Sequence, residues 1–289
     1  MLSKRIKAAD RQNRRKFVIT SGTTITASSN TNSVAYTFPV NVKYFKVLSY
    51  DIPFGWYPVN SRNNNIRFSE SAGGGTVTAT LTPGNYTVAQ MMTELKARLE
   101  GASPNTLTYT CTANSSTGKV TISASAGEFT LYFSQNPLSN ASQLLGFTYG
   151  DLTSSGSSLT GANRNMIVRG TEDHLLICVG TSGNTVAEGG GLFHDTTPST
   201  PTFGYIAMVP VTGSYGDHLY PGVGSSGKKY PIIASQGRGF LSSNTTTISL
   251  RYPIKKVVPD GSSETAETSE ALVDLNQKPW MLVIEGELG

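Results

Sequence analysis

Thr106-Leu107-Thr108-Tyr109-Thr110-Cys111 alternates polar and apolar side chains without a break. Successive side chains on a strand point to opposite faces, so this stretch predicts a β-strand with one buried and one wet face. The rest of the body reads the same way. Apolar and β-branched runs at Val34–Phe38, Tyr44–Asp51, Ile66–Ser69, Thr76–Leu81, Lys119–Ser123 and Phe129–Phe133 are separated by Gly, Pro, Asn and Ser clusters. The second half adds Met166–Arg169, Leu175–Val179, Tyr205–Val209, Thr247–Arg251, Ile254–Val258 and Trp280–Glu285. The pattern is that of an all-β chain.

One helix interrupts it. Pro83-Gly84-Asn85-Tyr86 turns the chain, and Thr87 with Gln90 three residues later spells a capping box. Val88, Met91, Met92, Leu95 and Leu99 follow at helical spacing, and Gly101 ends the pattern. That apolar stripe predicts the side of a helix that covers a small sheet. Gly-rich Ser71–Gly75 and the Thr153–Ser158 stretch bracket the region, so residues 71–160 read as an inserted α+β lobe. Residues 21–70 and 161–289 form the larger β-domain around it. No internal repeat is visible.

The charge is concentrated at the front. Lys4, Arg5, Lys7, Arg11, Arg14, Arg15 and Lys16 are opposed there only by Asp10. The chain's net charge is +4, so the remaining residues together are slightly acidic. A basic arm, residues 1–20, on a nearly neutral body predicts contact with something polyanionic on one side of the molecule. These seven side chains are the candidate binding residues, for nucleic acid or for an acidic protein partner. Charged residues make up only 15% of the chain, and Ser, Thr, Asn and Gly take their place. Such a surface suits a protein that packs against copies of itself. Asn13–Ile19 has the outline of a twin-arginine export signal, but polar Thr20–Thr24 stands where an apolar stretch belongs. No apolar run is long enough to span a membrane as a helix.

No motif carries a recognisable chemistry. Gly222-Val223-Gly224-Ser225-Ser226-Gly227-Lys228 matches a phosphate-binding loop in letters only. Tyr220-Pro221 precedes it, and Tyr230-Pro231 blocks the helix that must follow. Asp173-His174, His194-Asp195 and Asp217-His218 are neighbours on the chain and point apart on a strand, so they are not ready-made dyads. Glu264, Glu267 and Glu270 read as solvated loop carboxylates. Cys111 and Cys178 both fall in expected strands, as small hydrophobes. Nothing here gives a reason to expect catalysis, a cofactor or a bound metal.

A longer pattern resembles a known family. It runs through Asn64-Asn65-Ile66-Arg67-Phe68, Leu81-Thr82-Pro83-Gly84-Asn85-Tyr86-Thr87 and the helix, then Thr117-Gly118-Lys119-Val120-Thr121-Ile122 and Leu144-Leu145-Gly146-Phe147. It continues in Tyr205-Ile206-Ala207-Met208-Val209-Pro210, Leu250-Arg251-Tyr252-Pro253 and Leu275-Asn276-Gln277-Lys278-Pro279-Trp280-Met281-Leu282-Val283-Ile284-Glu285. From about residue 45 onward the chain resembles the penton-type single jelly-roll minor capsid proteins of adenovirus-like elements, virophages and polinton-like viruses. The resemblance implies one eight-stranded jelly roll, a homopentamer at the five-fold vertices of an icosahedral virion capsid, and a major capsid protein as neighbour. The basic arm would then run inward, toward viral genome or acidic internal proteins. Two other structural readings compete: a major capsid protein with two small jelly rolls, which needs about sixteen strands, and a receptor-binding or lectin-like fibre protein. A carbohydrate-active enzyme ranks behind them.

Overall fold

The computed structural model describes residues 14–21, 33–135, 139–180, 191–192, 204–221, 239–240, 245–252, 256–257, 265–266, 273, 275 and 278–288. Strands β1 (Arg14–Thr20), β2 (Ser33–Thr37) and β3 (Val42–Pro53) come first. Then follow β4 (Asn65–Glu70), β5 (Gly73–Thr80), helix α1 (Val88–Ala102), β6 (Tyr109–Ala113), β7 (Val120–Ala124) and β8 (Phe129–Tyr132). The short helix α2 (Ser142–Leu145), β9 (Asp151–Thr153) and β10 (Ser158–Thr160) come next. After them lie β11 (His174–Gly180), β12 (Gly191–Leu192), β13 (Gly204–Pro210), β14 (His218–Leu219), β15 (Gly239–Phe240) and β16 (Thr245–Arg251). Strands β17 (Lys256–Val257), β18 (Thr265–Ala266) and β19 (Met281–Leu288) close the chain. It divides into two compact units: Met1–Trp56, Glu172–Ile254 and Ser269–Gly289 form one, Tyr57–Thr171 and Lys255–Thr268 the other.

The first unit is a sandwich of two antiparallel sheets. One has the order β1-β19-β3-β14, with β15 also on β3; the other has the order β12-β13-β11-β16-β2. β14 pairs with the Ile52–Pro53 end of β3 and β15 with the Tyr44–Phe45 end, so the two together fill one strand position. Leaving aside the two-residue β12, the pairing then follows one rule. The first strand lies against the last, the second against the seventh, the third against the sixth and the fourth against the fifth. Contacts β19–β3 and β11–β16 join these pairs into sheets. A long antiparallel ribbon rolled across two sheets gives this order, and the fold is an all-β jelly roll.

Alternation explains which side chains fill it. Phe17 and Ile19 of β1, Leu282 and Ile284 of β19, and Leu175 and Ile177 of β11 all turn into one core with Trp56 and Trp280. Phe17 meets Phe38 edge-on with ring centroids 5.0 Å apart, a favoured aromatic geometry. Gly286 sits where a side chain has no room: a Cβ there would lie 2.8 Å from the Phe17 ring and 2.9 Å from Val42.

The second unit has its own core. Sheets β5-β4-β8-β9 and β10-β7-β6 supply Ile66, Phe68, Leu131, Val120 and Ile122 to it. Helix α1 adds Met91, Met92, Leu95 and Leu99, all buried. Its capping box forms as read: the Thr87 hydroxyl accepts from the Gln90 N–H, and the Gln90 side chain accepts from the Thr87 N–H. Among the described residues no helix is long and apolar enough to cross a membrane.

Two strand expectations change. Met166–Arg169 is not a strand but a turn, closed by Gly170 N–H donating to the Met166 carbonyl. Only Ile167 of that run is fully buried, while Val168 is half exposed. The alternating stretch at Thr106 enters its strand late, because Thr106 takes a positive φ of 53° and β6 begins at Tyr109. Arg14–Thr20, in turn, is a strand that the run-by-run reading missed.

Candidate functional site at the leading strand

β1 brings three of the seven candidate basic residues into the fold. Phe17 and Ile19 anchor the strand in the core, and the intervening Val18 is exposed. Pairing with β19 sets Arg14 opposite Glu287 and Lys16 opposite Glu285. The Arg14 guanidinium lies 3.5 Å from a Glu285 carboxylate oxygen. Opposite charges across a pair of strands stabilise by only about 0.2–1 kcal/mol, so the apolar anchors dominate. Arg15 and Lys16 are exposed. Lys4, Arg5, Lys7 and Arg11 lie outside the described residues. What the geometry fixes is the root: among the described residues β1 is an edge strand of its sheet, held by two buried side chains.

The other sequence candidates scatter. His218 reaches Asp51 across the β14–β3 pair, Nδ1 to Oδ1 2.6 Å, in an exposed contact. His174 begins β11. His194, Asp195, the Gly222–Lys228 motif, Glu264, Glu267 and Glu270 lie outside the described residues. Among the described residues no three metal-capable side chains cluster. Cys178 is buried in β11 and Cys111 half-buried in β6, both outside any disulfide. Burial, reinforced by the Glu100 carboxylate, pushes the Cys111 thiol up to about 12, so at neutral pH it is protonated and not a nucleophile.

One polar cluster had no sequence signal. Glu70, at the end of β4, is buried, and its carboxylate accepts from Ser103 Oγ at 2.6 Å, Tyr109 Oη at 2.8 Å and Asn105 Nδ2 at 2.9 Å. The Asn105 backbone N–H adds a fourth bond at 3.2 Å. Burial alone would raise this carboxyl, but the hydrogen bonds from Ser103, Tyr109 and Asn105 outweigh it and hold the group below the usual carboxylate range. Burial and the same contact push Tyr109 upward. The arrangement is a satisfied anchor for the loop between α1 and β6. Its members come from positions 70 to 109 with no periodic spacing, so only the fold reveals them.

Comparison with known proteins adds little to this geometry. No family model matches the chain. No curated protein matches it either. Among solved structures, the chain is similar to the crystal structure of the mavirus penton protein, with a TM-score of 0.47 and 10% sequence identity. The similarity covers 95% of this chain and 99% of that one.

Proposed function

We propose that this chain is a structural virion protein, a penton-type minor capsid protein that assembles as a homopentamer at the icosahedral five-fold vertex. The observation that carries the proposal is the rolled strand order around an apolar interior. Jelly rolls serve viral capsids, lectins and cupins, and a cupin needs polar ligands pointing inward. Here Phe17, Ile19, Phe38, Ile177, Leu282 and Ile284 occupy that space instead. The sparse surface charge fits a tile that packs edge to edge with copies of itself and with a major capsid protein.

The basic arm belongs to the same reading. With β1 fixed in the sheet, the cationic residues ahead of it are tethered to the shell and contact genome or an acidic internal protein. The test is binding of the purified full chain to double-stranded DNA as salt is varied. Neutralising Lys4, Arg5, Lys7 and Arg11 to Gln removes four potential phosphate contacts. The slope of log affinity against log salt then falls by about 3–4, following roughly 0.9 per phosphate contact. An unchanged slope denies the arm a role on nucleic acid.

A further inference from the structure

The turn that joins β6 to β7 in the second unit opens on Asn114-Ser115. An asparagine followed by a small residue leaves the next backbone nitrogen open to its own side-chain carbon. The chain has no Asn-Gly bond, and its Asn-Ser bonds fall at Asn32, Asn60 and Asn114. Asn32 lies outside the described residues. Asn60-Ser61 therefore presents the same dipeptide in different surroundings.

At Asn114 every group that such a reaction needs is in place. Its Oδ1 accepts from the Ser116 N–H at 3.0 Å and from the Thr117 N–H at 2.8 Å. The first of these bonds closes a ring that contains the Ser115 nitrogen, so the carboxamide is folded back toward it. Among the described residues, neither the Ser115 N–H nor Asn114 Nδ2 has a hydrogen-bond partner. Residues Asn114 to Thr117 are all exposed. The turn itself is held by the Asn114 N–H on the Lys119 carbonyl at 2.9 Å and the Gly118 N–H on the Asn114 carbonyl at 2.8 Å. Asn60 is set differently. There the Arg62 N–H reaches Oδ1 at 3.0 Å, Nδ2 is tied to the Tyr57 carbonyl at 3.0 Å, and the residue is half-buried.

We infer that Asn114 is a site of spontaneous modification, converted through a cyclic succinimide to aspartate and isoaspartate. The Ser115 nitrogen gives up its proton and bonds to Asn114 Cγ. The bond from Cγ to Nδ2 then breaks, and Nδ2 departs as ammonia with a proton returned from solvent. Water opens the ring at either carbonyl. Negative charge develops on Oδ1 as the new bond forms, and the two N–H groups already aimed at that oxygen stabilise it. The folded ring holds the attacking and attacked atoms on one side, which lowers the entropic part of the barrier. The aspartate product adds a negative charge to the turn. The isoaspartate product lengthens the main chain by one methylene and strains the bonds between Asn114, Gly118 and Lys119.

The experiment incubates the full chain in mildly alkaline buffer and maps its peptides by mass spectrometry with fragmentation that separates aspartate from isoaspartate. Conversion at Asn114 is expected to run at least about tenfold faster than at Asn60, to yield both products, and to slow as pH is lowered. In concentrated urea the two sites share only their dipeptide, and the ratio is expected to fall to about one. Ser115→Gly should hasten conversion and Ser115→Val should slow it, with circular dichroism of the starting protein unchanged. Equal rates at Asn114 and Asn60 in the folded chain overturn the inference, and so does a ratio that persists in urea. Aspartate without isoaspartate, or rates indifferent to both Ser115 variants, would mean direct hydrolysis by water and overturn it as well.

Discussion

Replacing Phe17 by Ala destabilises the sandwich by about 3–5 kcal/mol, a large share of the roughly 5–15 kcal/mol that holds a domain folded. Phe17 belongs to a segment whose composition is basic and whose neighbours are exposed, yet its ring is buried. It packs edge-on against Phe38 and fills the space left by Gly286. Truncating it leaves a cavity on both sides, and the edge strand loses one of its two anchors. Ile19→Ala removes the other, at about 2–5 kcal/mol. Val18→Ala, between them, changes an exposed side chain and costs within about 0.5 kcal/mol. Urea unfolding followed by tryptophan fluorescence reads this directly, because the chain's two tryptophans, Trp56 and Trp280, both lie in the sandwich core. Equal midpoints for Phe17→Ala and Val18→Ala would mean that the leading segment is not part of the core.

Removal of the Glu70 carboxylate has the comparable effect in the second unit. Glu70→Ala leaves the Ser103 and Tyr109 hydroxyls and the Asn105 backbone N–H without this acceptor, while the Asn105 amide keeps its bond to the Gly73 carbonyl. At about 1–3 kcal/mol for a strongly orphaned donor, the loss reaches about 3–5 kcal/mol. It falls on a loop that already holds Thr106, a β-branched residue, at a φ of 53°, a conformation that costs on the order of 1 kcal/mol or more. Tyr109→Phe removes one donor only and costs about 1 kcal/mol. Hydrogen exchange of β4 and β6 is the readout, since tryptophan fluorescence reports the other unit.

Acid has the same target. The Glu70 carboxyl is lowered in the folded state, so its contribution is complete above the unfolded value of about 4.3. It is lost as pH falls through the folded value. Protection of β4 and β6 therefore drops on acidification below about pH 4, and Glu70→Gln, already weakened, shows a flatter profile there. Identical acid profiles for the parent and Glu70→Gln would remove Glu70 from the explanation.

Local order was legible in the residues and long-range order was not. The Thr87–Gln90 box and the Met91, Met92, Leu95 and Leu99 stripe specify α1 because a helix closes its contacts within four residues. Alternation placed β7 and β8 for a similar reason. The pairing of Arg14–Thr20 with Met281–Leu288 joins segments at opposite ends of the chain, and no local pattern records it. Its signal, Phe17 and Ile19 two positions apart, was masked by the charges beside it. β14 and β15 are two residues each, too short for any periodicity, yet together they complete the roll. Met166-Ile167-Val168 misled in the other direction: a short apolar run fits a strand or a buried turn, and Gly170 at a φ of 81° decided for the turn.

The candidate site divides the same way. Net charge located the basic segment, because charge needs no partner to be counted. The Glu70 anchor depends on residues brought together by folding, and its members have no spacing that a linear reading could test.

The most direct measurement is the rotational symmetry and mass of the purified full-length protein, by electron imaging and native mass spectrometry. The proposed shell role predicts closed five-membered rings of the 30.7 kDa chain, and a minor share of the protein in intact particles. A stable monomer, a trimer, or a chain that dominates the particle's mass would contradict it.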